Sequence, residues 1–252
     1  PKNRINIKYQ RMFTGAFMYA SSHHVGIGYG SIAGTMSGVP FKFDSNGNLT
    51  NSESGQLFGW GISHEIGHVH DRPGLTYAET TNNILALITQ TFNDINESRL
   101  EGPGYKKVYD KVTSNSVGLA SDGLARLGMF WQLHLAYDND YTYNMLDINA
   151  DNNLENDTFY AKLYRATRIN GVASSESGYD STAQTFIMRA SDAAGKDLRE
   201  FFEKWGLVAS PNTNAYLNGK NYPKEDKAIY YLNDEARRLR LAAGDNVSSI
   251  TM

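Results

Sequence analysis

Gly61-Ile62-Ser63-His64-Glu65-Ile66-Gly67-His68 is the stretch around which the rest of the chain can be read. Its core, His64-Glu65-Ile66-Gly67-His68, follows the spacing H-E-x-x-H. On a helix, residues four apart share one face, so His64 and His68 can aim two imidazole nitrogens at one point. A Zn²⁺ ion there would sit about 2.0–2.1 Å from each nitrogen. Glu65, about 100° round the helix from His64, reaches a water at that point without being a ligand, which is the position of a general base. The flanks favour a helix: Leu57, Phe58, Ile62, Ile66 and Val69 recur at helical spacing. Arg72-Pro73-Gly74 predicts a stop just past the motif. Gly67 inside a helix costs about 1 kcal/mol relative to alanine, so its presence predicts another group packed close against it.

Working outward, the third ligand is sought downstream. Thr76-Tyr77-Ala78-Glu79 is expected to open the next helix, and a short helical hairpin through residues 71–75 would return Glu79 to the metal. Thr76 and Glu79 also fit a capping box, in which the carboxylate would serve its own helix instead. Glu97 is the rival, but helix rise puts it about 27 Å from Glu79, so only one of the two can face the ion. The short hairpin favours Glu79. Asn82 and Asn83 follow on the same helical face, where either amide can orient a ligand imidazole. His70, two residues past His68, points to the far side of the helix.

The run from Gly59-Trp60-Gly61 through His68, followed by Glu79-Thr80-Thr81-Asn82-Asn83, resembles the enhancin-like, mucin-degrading zinc metallopeptidases. Phe130-Trp131-Gln132-Leu133-His134-Leu135, Ala194-Gly195-Lys196-Asp197-Leu198 and Phe201-Phe202-Glu203-Lys204-Trp205-Gly206 extend the resemblance over most of residues 17–238. It implies an α+β, gluzincin-type fold and secretion by host-associated bacteria, to the extracellular space or cell surface. It also implies cleavage of mucin-type glycoproteins beside O-glycosylated Ser or Thr, with carbohydrate-binding modules appended in the full-length protein. Residues 140–157 look like an insertion relative to the family pattern.

Composition sets the bounds. The 252 residues suffice for one large domain or two joined lobes. A net charge of −3 leaves no footprint for nucleic acid or an anionic membrane. With no cysteine, zinc has to be held by histidine and carboxylate. No apolar run approaches the roughly 18 residues of a membrane span. The chain starts at Pro1 without a signal peptide and reads as an excised piece of something longer.

Taken in order, residues 1–56 read as a β-rich lobe and residues 57–252 as a helical lobe carrying the zinc helices. Residues 4–9, 17–20 and 25–32 are strand candidates, the last interrupted by Gly26, Gly28 and Gly30. In gluzincins an edge strand beside the zinc helix pairs with the substrate backbone. Residues 25–34 are the candidate, with Gly28, Tyr29 and Gly30 as its substrate-binding residues; a glycine-rich loop without a role is the alternative. Residues 41–49 read as a hairpin through Asn46-Gly47. Helices are expected at 105–112, 124–137, 159–169, 183–190, 198–205 and 229–241. His134 reads as a core histidine and His23-His24 as surface residues. Asp147-Ile148-Asn149-Ala150-Asp151 begins like a calcium loop but fails the EF-hand pattern at Asn152 and Thr158. A solvated acidic loop is favoured there over an irregular Ca²⁺ site.

Trp60, beside the motif, is a candidate for stacking on a sugar, with a core tryptophan the competing reading. The leading function is therefore peptide hydrolysis with zinc, Glu65 acting as base and an unassigned Tyr or His helping the oxyanion. The alternatives are a zinc peptidase acting on unglycosylated protein and a mucin- or glycan-binding adhesin without catalysis.

Overall fold

Alternating residues near the N-terminus form the first strand, β1 (Asn6–Gln10), followed by β2 (Met18–Ala20) and β3 (His24–Gly28). The computed structural model describes residues 5–12, 16, 18–28, 60–91, 98–138, 158–236 and 239. Within them the chain is α+β, with this small sheet followed by helices. The sheet order is β1-β3-β2, with β1 parallel and β2 antiparallel to β3. β3 is thus the central strand, so its described part cannot serve as the substrate-pairing edge that the sequence suggested. Its backbone groups are engaged by Asn6–Gln10 on one side and Met18–Ala20 on the other. Gly28 ends this strand, while Tyr29 and Gly30 lie outside the described residues. Gly26 pairs with Tyr19, and a Cβ there would overlap the Tyr19 ring.

The chain divides into two units, Pro1–Arg99 and Leu100–Met252. In the first, α1 (Trp60–His70) and α2 (Asn83–Thr91) join the strands. Ile62 of α1 shares a buried cluster with Val25 and Ile27 of β3, and Ile66 and Val69 pack against it. That back face is why α1 groups with the sheet, whereas the change in periodicity had suggested a boundary at residue 56.

The second unit contains α3 (Pro103–Thr113), α4 (Gly123–Tyr137), α5 (Phe159–Asn170), α6 (Ser181–Ala194), α7 (Arg199–Lys204) and α8 (Pro211–Lys220). α4 is buried nearly all round, and Phe130, Trp131, Phe186, Phe202 and Trp205 fill the core with it. The sequence did not suggest α8, whose asparagines and Gly219 obscure it, although Ser210-Pro211 is a helix start. Of the helix expected at 229–241, Ile229–Tyr231 form a 3₁₀ turn and Leu232 is extended at ψ 141°, while Asp234, Glu235, Ala236 and Leu239 are helical. Gln132 Nε2 donates to the carbonyls of Tyr230 (2.7 Å) and Leu232 (3.1 Å), satisfying groups that a continuing helix would have used. His134 is buried, with Nδ1 2.5 Å from Asp138 Oδ2, as befits a core histidine. The hairpin at 41–49, Glu97, the acidic stretch 147–151 and the insertion 140–157 lie outside the described residues. Among the described residues no helix is long and apolar enough to cross a membrane.

Candidate metal centre

α1 carries His64 and His68 one turn apart, with ring centroids 4.8 Å from each other. After α1 the chain turns at Pro73-Gly74, where Gly74 takes φ 82°, and runs back towards the helix. The helix expected from Thr76 begins only at Asn83. Residues 78–82 form turns, closed by bonds such as Thr81 N to Tyr77 O at 3.0 Å. The Thr76 hydroxyl donates to the Arg72 carbonyl at 2.8 Å, so no capping box competes for Glu79.

Glu79 itself has φ 57°, the left-handed region that disfavours a side chain with a Cβ. Such strain persists where the surroundings hold it and tends to mark functional positions. Here Asn83 Nδ2 donates to the Glu79 carbonyl at 3.0 Å. The conformation directs the carboxylate at both imidazoles: Oε2 lies 3.2 Å from His64 Nε2, and Oε1 lies 3.2 Å from His68 Nε2.

The nitrogens turned away from Glu79 have partners as well. His64 Nδ1 lies 2.6 Å from Asn83 Oδ1, and the tautomer that donates to this oxygen leaves the Nε2 lone pair free to bind an ion. Asn82 is almost fully buried, with Nδ2 3.0 Å from His64 Nδ1 and 3.4 Å from the His64 carbonyl, and 3.1 Å from His68 Nε2, the nitrogen that also faces Glu79. Asp71, which the sequence reading passed over, has Oδ2 3.6 Å from His68 Nδ1 and Oδ1 3.0 Å from the Thr81 hydroxyl.

Two ligands about 2.1 Å from a tetrahedral Zn²⁺ stand about 3.4 Å apart. Each imidazole has one Glu79 oxygen at 3.2 Å, close to that edge, Oε2 for His64 and Oε1 for His68. His64, His68 and Glu79 are the only such group of three metal-ligating side chains among the described residues. Two histidines and a carboxylate are also the donor set of catalytic zinc, which leaves a fourth position open. The Glu79 side chain is 67% exposed, so the face opposite the helix is accessible. Burial pushes the Glu65 carboxyl above its ordinary range, His64 and His68 pull it back, and Glu79 adds to the rise.

The remaining candidates lie apart from this group. His70 Nδ1 bonds the Ile66 carbonyl at 2.9 Å on the exposed side of α1. Both ring nitrogens of His24 meet hydroxyls, of Tyr19 at 2.8 Å and of Ser21 at 2.7 Å. Trp60, the first residue of α1, has the Arg99 guanidinium 4.6 Å from its ring centroid, so one of its faces is covered.

Gly67 explains how α1 and the ligand turn come so close. A Cβ there would overlap the carbonyl oxygen of Asn82, and the backbone would have to move. Gly67→Ala is therefore expected to destabilise the protein by about 1–3 kcal/mol through overpacking, despite the helix propensity gained. It should also weaken zinc binding, because the shift separates His64 from Asn83. Thermal melts and zinc titrations check this, and an alanine variant matching the parent in both would contradict it.

These elements recur in known proteins. Residues 4–206 match the family model for peptidase M60, enhancin and enhancin-like. The M60 catalytic domain of Clostridium perfringens ZmpC, solved with the sialyl T antigen, aligns with a TM-score of 0.65 and 30% identity, over 91% of this chain and 39% of that one. A functionally unknown conserved protein from Bacillus anthracis aligns at 0.64 and 26% identity, over 92% and 42% of the two chains. A longer piece of C. perfringens ZmpB, with CBM32-1, CBM32-2 and M60 catalytic domains, aligns at 0.63 and 28% identity, over 90% and 20%. The chain spans less than half of each of these structures. No curated protein sequence matches it significantly. With the family model covering most of its length, the chain belongs to the peptidase M60 family of enhancin and enhancin-like proteins.

Proposed function

We propose that this chain is the catalytic core of a secreted zinc metallopeptidase that cleaves O-glycosylated, mucin-type proteins beside glycosylated Ser or Thr. The observation that carries the reading is the convergence of Glu79 on both imidazoles at 3.2 Å, next to Glu65 on the same helix. His64, His68 and Glu79 would hold the metal. Zinc bound there supplies a Lewis acid that polarises the scissile carbonyl. Glu65 accepts a proton from the attacking water and returns it to the leaving amine nitrogen. Asn83 Oδ1, 2.6 Å from His64 Nδ1, would favour the tautomer that turns a free Nε2 to the metal.

The substrate class rests on relatives: ZmpC was solved with the sialyl T antigen, and ZmpB carries CBM32 domains beside its M60 domain. Appended carbohydrate-binding modules and an extracellular location belong to the same proposal. The experiment is digestion of a purified mucin with zinc-loaded protein, then with chelator, then with zinc restored. Cleavage that stops with chelation and returns with zinc is expected. Mucin binding without cleavage at any zinc level would replace the peptidase by an adhesin.

A further inference from the structure

We propose that Asp71, held by Thr81, is a positioning residue for His68 and ties the second proposed metal ligand to the third. The inference rests on the zinc site proposed above. A histidine that binds metal through one nitrogen needs an acceptor at the other, which fixes its tautomer and ring angle and raises its basicity. His64 has Asn83 for this. Among the described residues, the carboxylate facing His68 Nδ1 is Asp71, at 3.6 Å. That distance is within ion-pair range but longer than a hydrogen bond, so the contact as it stands is electrostatic.

The other Asp71 oxygen gives the contact its structural meaning. Oδ1 accepts from the Thr81 hydroxyl at 3.0 Å, and Thr81 Oγ1 in turn accepts from Tyr77 N at 3.2 Å. Thr81 is buried and stands two residues beyond Glu79. Asp71 is the first residue past α1, which ends at His70. One carboxylate therefore spans from the end of the helix bearing His68 to the turn bearing Glu79. The Asp71 side chain is only 15% exposed, and hiding a carboxylate there is unfavourable unless something uses its charge. Burial raises its pKa, while the Thr81 hydrogen bond and His68 lower it.

A purely structural role would act through the loop alone. Thr81→Val cuts the loop bond but leaves the carboxylate on His68. Asp71→Ala removes both contacts, and Asp71→Asn keeps an oxygen able to accept from Nδ1–H while losing the charge. The experiment measures zinc affinity by competition with a chromophoric chelator in the parent and these three variants, together with melting of the metal-free proteins. Asp71→Ala is expected to bind zinc about 10–100-fold more weakly. Asp71→Asn should recover part of that loss, and Thr81→Val should lose clearly less than Asp71→Ala.

Asp71→Ala binding zinc as the parent does, or Thr81→Val losing as much as Asp71→Ala, would overturn the proposal. If Asp71→Ala does not fold, Asp71→Asn decides: it should bind several-fold more weakly than the parent, and parent-like affinity would overturn the proposal. A parent that binds no zinc would instead remove the metal site itself, and the proposal with it.

Discussion

Replacing Glu65 by glutamine is expected to cut turnover by about 10²–10⁴-fold while zinc stays bound. Glu65 lies between the two histidines in sequence but about 100° round the helix from His64, and it is not one of the three side chains that converge as ligands. Its partly buried carboxyl, raised by burial and restrained by the two imidazoles, is the proton acceptor nearest in sequence to the proposed ligands. Glutamine preserves size and helical fit but has no basic oxygen to take the proton. Metal content measured beside the rate separates lost chemistry from lost zinc. Turnover close to the parent's would refute the role given to Glu65.

The second large effect concerns the substrate. A synthetic peptide carrying one O-linked sugar on Ser or Thr is expected to be cleaved up to roughly 10⁴-fold more efficiently than the same peptide without it. A site built to hydrogen-bond a sugar leaves buried polar groups unpaired when the sugar is missing, and discrimination of that size follows. Comparison of kcat/KM for the matched pair makes the test. Equal cleavage would remove the glycoprotein substrate and leave the zinc peptidase standing.

The histidine motif was legible because its geometry is local: residues four apart on a helix share one face whatever surrounds them. Gly67 was legible for a related reason. A glycine inside a helix asks for a close neighbour, and the Asn82 carbonyl is that neighbour. Spacing also brought Glu79 forward, but not how it reaches the histidines. A helix from Thr76 was the natural expectation, whereas the structure uses turns and a left-handed Glu79, and α2 starts at Asn83.

Asp71 was missed because an aspartate after a helix end is ordinary, and its pairing with Thr81 spans ten residues that fold back. The central position of β3 was likewise invisible, since strand order depends on pairings between distant segments rather than on the alternation within each. The 3₁₀ turn at Ile229–Tyr231 belongs to the same class, because Gln132, about a hundred residues earlier, takes the carbonyls involved.

The central claim is that His64, His68 and Glu79 together hold one zinc ion. Anomalous scattering at the zinc edge, from crystals of zinc-loaded protein, tests it most directly. A single strong peak is expected about 2.0–2.2 Å from His64 Nε2, His68 Nε2 and one carboxylate oxygen of Glu79. A peak held by Glu97 in place of Glu79, or no peak between the two histidines, would contradict it.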